Sequence, residues 1–427
     1  LLNNNIKTHL FNILGISQNI YFKIMSLKKN KKKNILFVGG KSAYLPILKY
    51  LKGKVKITRC GINPGQAFFN YDQNYYLTLG NKSKLKDLNL IKSKIINNIS
   101  SIKYKEYSFY KIISPNLDYL FDNYFKILIR WIDTIYKIEP YLDTVVTTND
   151  TMTLEQIIIK ILKKHKKKSY VIQHGYTNLN ENFFPLIKNK MLADKMFVWG
   201  YVSKEWMIKE GLKEENLIIT GSIKFDEYLK KEKFIDIRKE FNISKNKKII
   251  FYIPEPNKDL KIVRCILSNK ETTELYRTLF DIIKGLKEYF LIIKPHPSDN
   301  YIELPRKILD EKEINNCKIL DKRFPLKPLL QQSDLIITLG STVTLEAMFF
   351  KKPIMMLNFF KKEQIVPFAE RKMCIYVKDK RMLKKEIINS IKNKDKAVNM
   401  YIKHFKSYVL NDGKAYKRIS DFILKEN

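Results

Sequence analysis

"DLIITLGSTVTLEAMFFKKPIMML", residues 334–357, sets the fold class of this chain. It opens on a short apolar run, Leu335 to Thr338, breaks at Gly340, reads as helix from about Thr342 to Phe350, and closes on a second apolar run, Pro353 to Leu357. Short continuous apolar runs bounded by turn residues are the mark of strands buried on both faces. Strand, helix and strand in succession make one unit of a parallel α/β sheet with helices on its faces.

The same alternation runs through the chain. "NILFVGG" (34–40) and "VKITRCG" (55–61) read as strands around the helix-like "SAYLPILKYLKG". A helix in "NYFKILIRWIDTIYKIEPYL" leads to the strand "DTVVTTND", and one in "MTLEQIIIKILKKHKKK" leads to "SYVIQHG" (169–175). Two more strands end at Trp199-Gly200 and Thr220-Gly221-Ser222, followed by a highly charged linker at 229–248. A second series then begins with "IIFYIPEP" and continues through "YFLIIKPHP", "CKILD", "DLIITLG" and "PIMML". The expected partition is an N-terminal amphipathic helix and basic linker (1–33), a Rossmann-like domain (34–228), a second Rossmann-like domain (229–400) and C-terminal helices (401–427). The expected class is α/β, with two doubly wound parallel sheets facing across a cleft.

At 427 residues the chain exceeds one ordinary core. A hydrophobic content of 45% supports two cores and argues against wholesale disorder. Lysine and arginine number 80 against 43 acids, a net charge of +37 that attracts phosphates, nucleic acid or an anionic membrane. Lysine, asparagine and isoleucine are abundant together throughout, so compositional drift and solvated faces account for the same excess. Cys60, Cys265, Cys317 and Cys374 form no metal-type cluster, which fits a reduced, cytoplasmic protein. No apolar run reaches membrane-spanning length. In residues 8–25, Leu10, Ile13, Leu14, Ile20, Tyr21 and Ile24 recur at near-helical spacing before the lysines of 28–33. That suits peripheral contact with an anionic leaflet, and equally a helix packed on its own domain. The order, apolar part before basic cluster, is not that of a secretory signal.

In a doubly wound sheet, ligands sit beyond the carboxyl ends of the strands. Ser341, Thr342 and Thr344 follow such an end, where hydroxyls and backbone amides suit a diphosphate, and Glu346 is placed to reach a ribose hydroxyl. An ordinary N-capped helix uses the same residue types. "KPHP" offers Lys294 and His296, framed by Pro295 and Pro297, from the end of what reads as the neighbouring strand. Such an imidazole donates to a phosphate or leaving-group oxygen, or merely closes a turn. In "VIQHGY", His174 should face the same cleft from the other domain, with Gln173 and Gly175 beside it on the acceptor side. His174 is a candidate general base, with Asp150 and Glu155 as rivals. The chain has no GxGxxG at its first strand, no GxxxxGK[ST] and no DxD, so no metal and no cofactor is implied.

Taken in order, "IQHG", "FVWGYVSKEWMIKEGLKEENLIITGSIKFDEY", "KPHP" and "DLIITLGSTVTLEAMFFKKPIMML" resemble the GT-B glycosyltransferases of capsule and surface-polysaccharide synthesis. That group grades into the CDP-glycerol glycerophosphotransferases and the UDP-N-acetylglucosamine 2-epimerase fold. The resemblance covers about residues 144–357. It implies a donor nucleotide held by His296, Ser341, Thr342 and Glu346, with His174 turned toward the acceptor. The expected donor is a CMP-, CDP- or UDP-linked sugar, and the expected acceptor a lipid-linked or polymeric glycan near the inner face of the cytoplasmic membrane. Where this chain has Gly340-Ser341-Thr342, glycerophosphotransferases typically carry an aspartate and paired serines. Glycerophosphate transfer and nucleotide-sugar epimerisation are the rival chemistries. A basic nucleic-acid-binding protein is the rival outside enzymes, but the lysines form no recognisable module and the two histidines have no role in it.

Overall fold

The computed structural model describes residues 32–39, 44–60, 82–100, 102–104, 107–150, 153–175, 191–230, 235–254, 267–296, 303–362 and 366–426. The expected N-terminal amphipathic helix lies outside these residues, as does Pro297.

Fourteen strands occur among the described residues. β1 (Asn34–Val38), β2 (Lys56–Cys60), β5 (Thr144–Thr147), β6 (Lys168–Ile172), β7 (Lys195–Val198) and β8 (Leu217–Ile219) form one six-stranded sheet in the order β2-β1-β5-β6-β7-β8. β3 (Lys103–Tyr104) and β4 (Tyr107–Ser108) are a small antiparallel pair outside it. β9 (Lys248–Ile253), β10 (Tyr289–Ile293), β11 (Cys317–Ile319), β12 (Leu335–Thr338), β13 (Ile354–Leu357) and β14 (Ile375–Val377) form the second sheet, in the order β11-β10-β9-β12-β13-β14. All pairings within the two large sheets are parallel. Every residue of β1, β5, β10, β12 and β13 is buried. That is why these strands read as unbroken apolar runs rather than alternating ones.

Each sheet reverses its strand order once, between β1 and β5 and between β9 and β12. Doubly wound sheets open a crevice at such a reversal. The strand carrying "KPHP", β10, is separated from β12 by β9, which corrects the expectation that the two are neighbours.

Between the sheets lies one continuous apolar cluster in which Trp199 and Phe225 of the first half pack with Ile253, Leu345 and Phe405 of the second. The Phe225 ring meets Phe349 edge-on at 5.4 Å. The chain then crosses back. The 407–410 segment lies so close over the ends of β7 and β8 that a Cβ on Gly200 would stand 2.6 Å from the Ser407 carbonyl oxygen. A Cβ on Gly221, whose φ is +86°, would stand 2.2 Å from that of Leu410. The last helix, Ala415–Lys425, returns Ile419 and Ile423 to the first core beside Phe37, Ile47 and Phe197. Lys33 completes the closure by donating to the Ile423 carbonyl at 2.8 Å, satisfying an orphan acceptor at that helix's end.

Candidate functional site

Loops leaving the carboxyl ends of both sheets line a cleft of about 660 Å³, within the range that holds small ligands. From the first sheet come Gln173, His174 and Gly175 after β6, and Ser222 with Lys224 after β8. From the second come Lys294, Pro295 and His296 after β10, and Ser341, Thr342 and Glu346 after β12. Phe251, Phe324 and Leu326 add an apolar wall suited to a flat ring.

The first-domain wall is built around Gln173. Its amide nitrogen donates to the Gly175 carbonyl at 2.9 Å and to Ser203 Oγ at 3.1 Å, and its Oε1 accepts the Trp199 backbone N–H at 2.8 Å. The Trp199 indole donates to the Gln173 carbonyl at 2.9 Å. These bonds fix the turn that presents His174, whose imidazole stands exposed at the cleft. Partial desolvation by the neighbouring cleft walls, and then the positive charge of Lys224, hold the His174 pKa below its ordinary value. A neutral ring able to accept a proton is the dominant form at pH 7.

On the opposite wall, Lys294 is half-buried and its pKa is lowered by burial, raised by Asp321 and lowered again by Lys224. Pro295 is buried and His296 exposed, so the proline anchors the turn and the imidazole projects. After β12 the turn is tied by Thr338, whose Oγ1 accepts the Gly340 and Ser341 amides at 3.2 and 3.1 Å. Two of the amides expected to hold a phosphate are therefore already bonded. Thr342 precedes the Val343–Phe349 helix without making a side-chain cap, whereas Ser341 Oγ accepts the Val343 amide at 3.4 Å, so the capping alternative stays open at Ser341.

Three expected site residues are not brought to the cleft. Thr344 is fully buried and its hydroxyl donates to the Ser341 carbonyl at 2.6 Å. Asp150 is buried and accepts the Leu192 and Ala193 amides at 2.8 and 3.4 Å. Burial raises its pKa and those amides lower it. Glu155 is buried near the start of the Thr153–Lys164 helix with its pKa raised by burial. Gln173 lines the cleft but spends its amide inward, and Gly175 contributes backbone beside it.

Glu346 is buried, and first-domain side chains hold both of its carboxylate oxygens. Lys224 Nζ meets Oε1 at 2.6 Å and the Tyr228 hydroxyl donates to Oε2. Burial and then the Glu346 charge push the Tyr228 hydroxyl pKa up. Neither Lys224 nor Tyr228 was singled out in the sequence. The available signal was their four-residue spacing in "SIKFDEY" just after a strand end, which sets both on one helix face. Among the described residues no three His, Cys, Asp or Glu side chains group as a metal site, and no helix is long and apolar enough to cross a membrane.

Two parallel six-stranded sheets meeting at their carboxyl ends across a cleft define the GT-B fold, as the sequence led us to expect. The chain belongs to the UDP-N-acetylglucosamine 2-epimerase family, whose model matches residues 189–424, more than half of its length. UDP-GlcNAc 2-epimerase from Neisseria meningitidis, solved bound to UDP-GlcNAc, aligns with a TM-score of 0.59 at 16% identity, covering 92% of this chain and 100% of its own. The Methanocaldococcus jannaschii UDP-GlcNAc 2-epimerase in complex with UDP-GlcNAc and UDP gives 0.53 at 16% identity, covering 92% and 99%. A variant of the wall teichoic acid polymerase TagF gives 0.54 at 15%, covering 99% and 98%. At these identities the likeness is one of fold. No curated protein sequence matches the chain.

Proposed function

We propose that this protein transfers a sugar from a nucleotide-activated donor to a hydroxyl of a glycan acceptor. The observation that carries the reading is the opposition of the His174 imidazole to the Lys294 ammonium, the His296 imidazole and the hydroxyls of Ser341 and Thr342 across one cleft. The donor diphosphate lies against the second group, its ribose at Glu346 and its base along Phe251, Phe324 and Leu326. His174 accepts the proton of the acceptor hydroxyl as that oxygen bonds to the anomeric carbon. The bond from that carbon to the diphosphate breaks, Lys294 offsets the charge that collects on the leaving group, and the His296 imidazole donates a hydrogen bond to it. Enclosure between the domains limits competition by water.

The solved relatives with UDP-GlcNAc, UDP or CDPG in the same fold support a nucleotide-linked donor. The net charge of +37 supports a place beside an anionic inner leaflet and a lipid-linked acceptor. The family match at residues 189–424 favours a second reading, epimerisation of a nucleotide sugar without an acceptor.

Incubation with UDP-N-acetylglucosamine and other UDP- and CDP-linked donors in D₂O, followed by NMR, separates the two. Transfer predicts nucleotide release only when a lipid-linked glycan fraction is added, with no deuterium at sugar C2. Deuterium at C2 without nucleotide release would establish epimerisation instead.

A further inference from the structure

Glu346 is placed to take a ribose, yet in the free protein it is fully engaged by Lys224 and Tyr228 from the other domain. The Glu346 residue is only 4% exposed, so a third group has little access to it while both partners stay. Lys224 is differently placed. Its side chain is half-exposed and lines the cleft, and its charge is felt at both His174 and Lys294. Its ammonium therefore lies within electrostatic reach of the wall assigned to the diphosphate. Lysine is a flexible point charge that changes partners by rotating its stem.

Resting on the donor site proposed above, we infer that Lys224 is a further substrate-binding residue that changes partners: it neutralises Glu346 in the free protein and turns to the donor diphosphate when ribose hydroxyls take its place. Two consequences separate this from a fixed structural ion pair. A nucleoside alone must break the Lys224–Glu346 pair and offers the ammonium no new partner, so it binds weakly. A nucleoside diphosphate breaks the same pair and supplies phosphate oxygens in return. The exchange thus makes the cleft discriminate for phosphorylated nucleotides more strongly than phosphate contacts to Lys294 and His296 alone would. Tyr228 shares only the first half of the exchange, because its hydroxyl is held deep at Glu346 and only Lys224 is free to follow the phosphate.

The test is calorimetric titration of uridine, cytidine, UDP and CDP into the full chain, wild type, Lys224→Met and Tyr228→Phe. Lys224→Met should bind the preferred nucleoside more tightly than wild type and its diphosphate about tenfold more weakly, the change set by one charge-assisted hydrogen bond. The opposite signs in one variant are the signature. Tyr228→Phe should bind both the nucleoside and the diphosphate more tightly. A Lys224→Met protein whose two affinities fall together, rise together or stay unchanged overturns the inference while leaving the donor site standing. A wild type that binds none of the four ligands overturns the functional reading and this inference with it.

Discussion

Replacing Gln173 with alanine tests whether the sequence motif around His174 is held as described. Gln173 is 3% exposed, and its side chain hydrogen-bonds the Gly175 carbonyl, Ser203 Oγ and the Trp199 amide. Truncation strands the buried Trp199 N–H, a loss of about 1 to 3 kcal/mol, and removes two further bonds of about 1 kcal/mol each. The half-exposed Gly175 carbonyl recovers part of its share from water. The net expectation is a destabilisation of about 3 kcal/mol, a large part of a typical 5 to 15 kcal/mol. For a folding unit of this size it corresponds to a fall in Tm of about 6 to 12 °C by differential scanning calorimetry. Because the turn also aims His174, turnover should fall while nucleotide affinity on the opposite wall persists. A Tm within about 2 °C of wild type, together with a raised acceptor KM, would refute this and return Gln173 to the direct acceptor contact expected from sequence.

Three other substitutions probe separate parts of the account. His174→Ala should lower kcat by about 10² to 10⁴-fold with donor affinity within about twofold, and the wild-type acid limb should lie below the ordinary histidine value; an unchanged rate removes His174 from the chemistry. Gly221→Ala forces a Cβ to 2.2 Å from the Leu410 oxygen at a φ of +86°, so about 3 kcal/mol or more of stability should be lost; a chemical denaturation midpoint equal to wild type would mean the tail does not cross there. Asp226 is buried and accepts the Tyr416 amide at 2.9 Å, and its pKa is pushed up to about 6, chiefly by burial. Folded protein therefore holds this proton more tightly than the unfolded chain, and about 2 to 3 kcal/mol present below pH 4 is lost as pH rises through about 6. Asp226→Asn should gain stability relative to wild type at pH 8 but not at pH 4; a difference that is the same at both values contradicts the assignment.

The fold was legible because both sheets are parallel and covered on both faces, so β10, β12 and β13 appear as plain apolar runs. The strand ends were legible for the same reason, and with them His174, Lys294, His296, Ser341, Thr342 and Glu346 fell in one cleft. Side-chain direction was not, since it is set by partners far along the chain. Asp150 resembles a base at a strand end until the Leu192 amide, 42 residues away, claims it. Thr344 belongs to the same helix as Glu346 but lies on its inner face, bonded back to Ser341. The return of the Ala415–Lys425 helix to the first core follows from Gly200 and Gly221 admitting the 407–410 backbone, a fit between glycines and a segment about 200 residues away. The insertion of β9 between β10 and β12 is likewise a matter of strand order, which local pattern does not contain.

The central claim is that a nucleotide-activated donor seats its diphosphate at Lys294, His296, Ser341 and Thr342 in this cleft. The most direct test is a thermal-shift panel of CMP, CDP, UDP, GDP and their sugar or glycerol conjugates, on wild type and His296→Ala. At a hundredfold excess over Kd, a bound nucleotide contributes about 2.7 kcal/mol, so one nucleotide class should raise the Tm by about 5 to 10 °C in wild type. His296→Ala should keep its fold and lose that rise. Equal rises in the two proteins, or none with any nucleotide in wild type, would contradict the account.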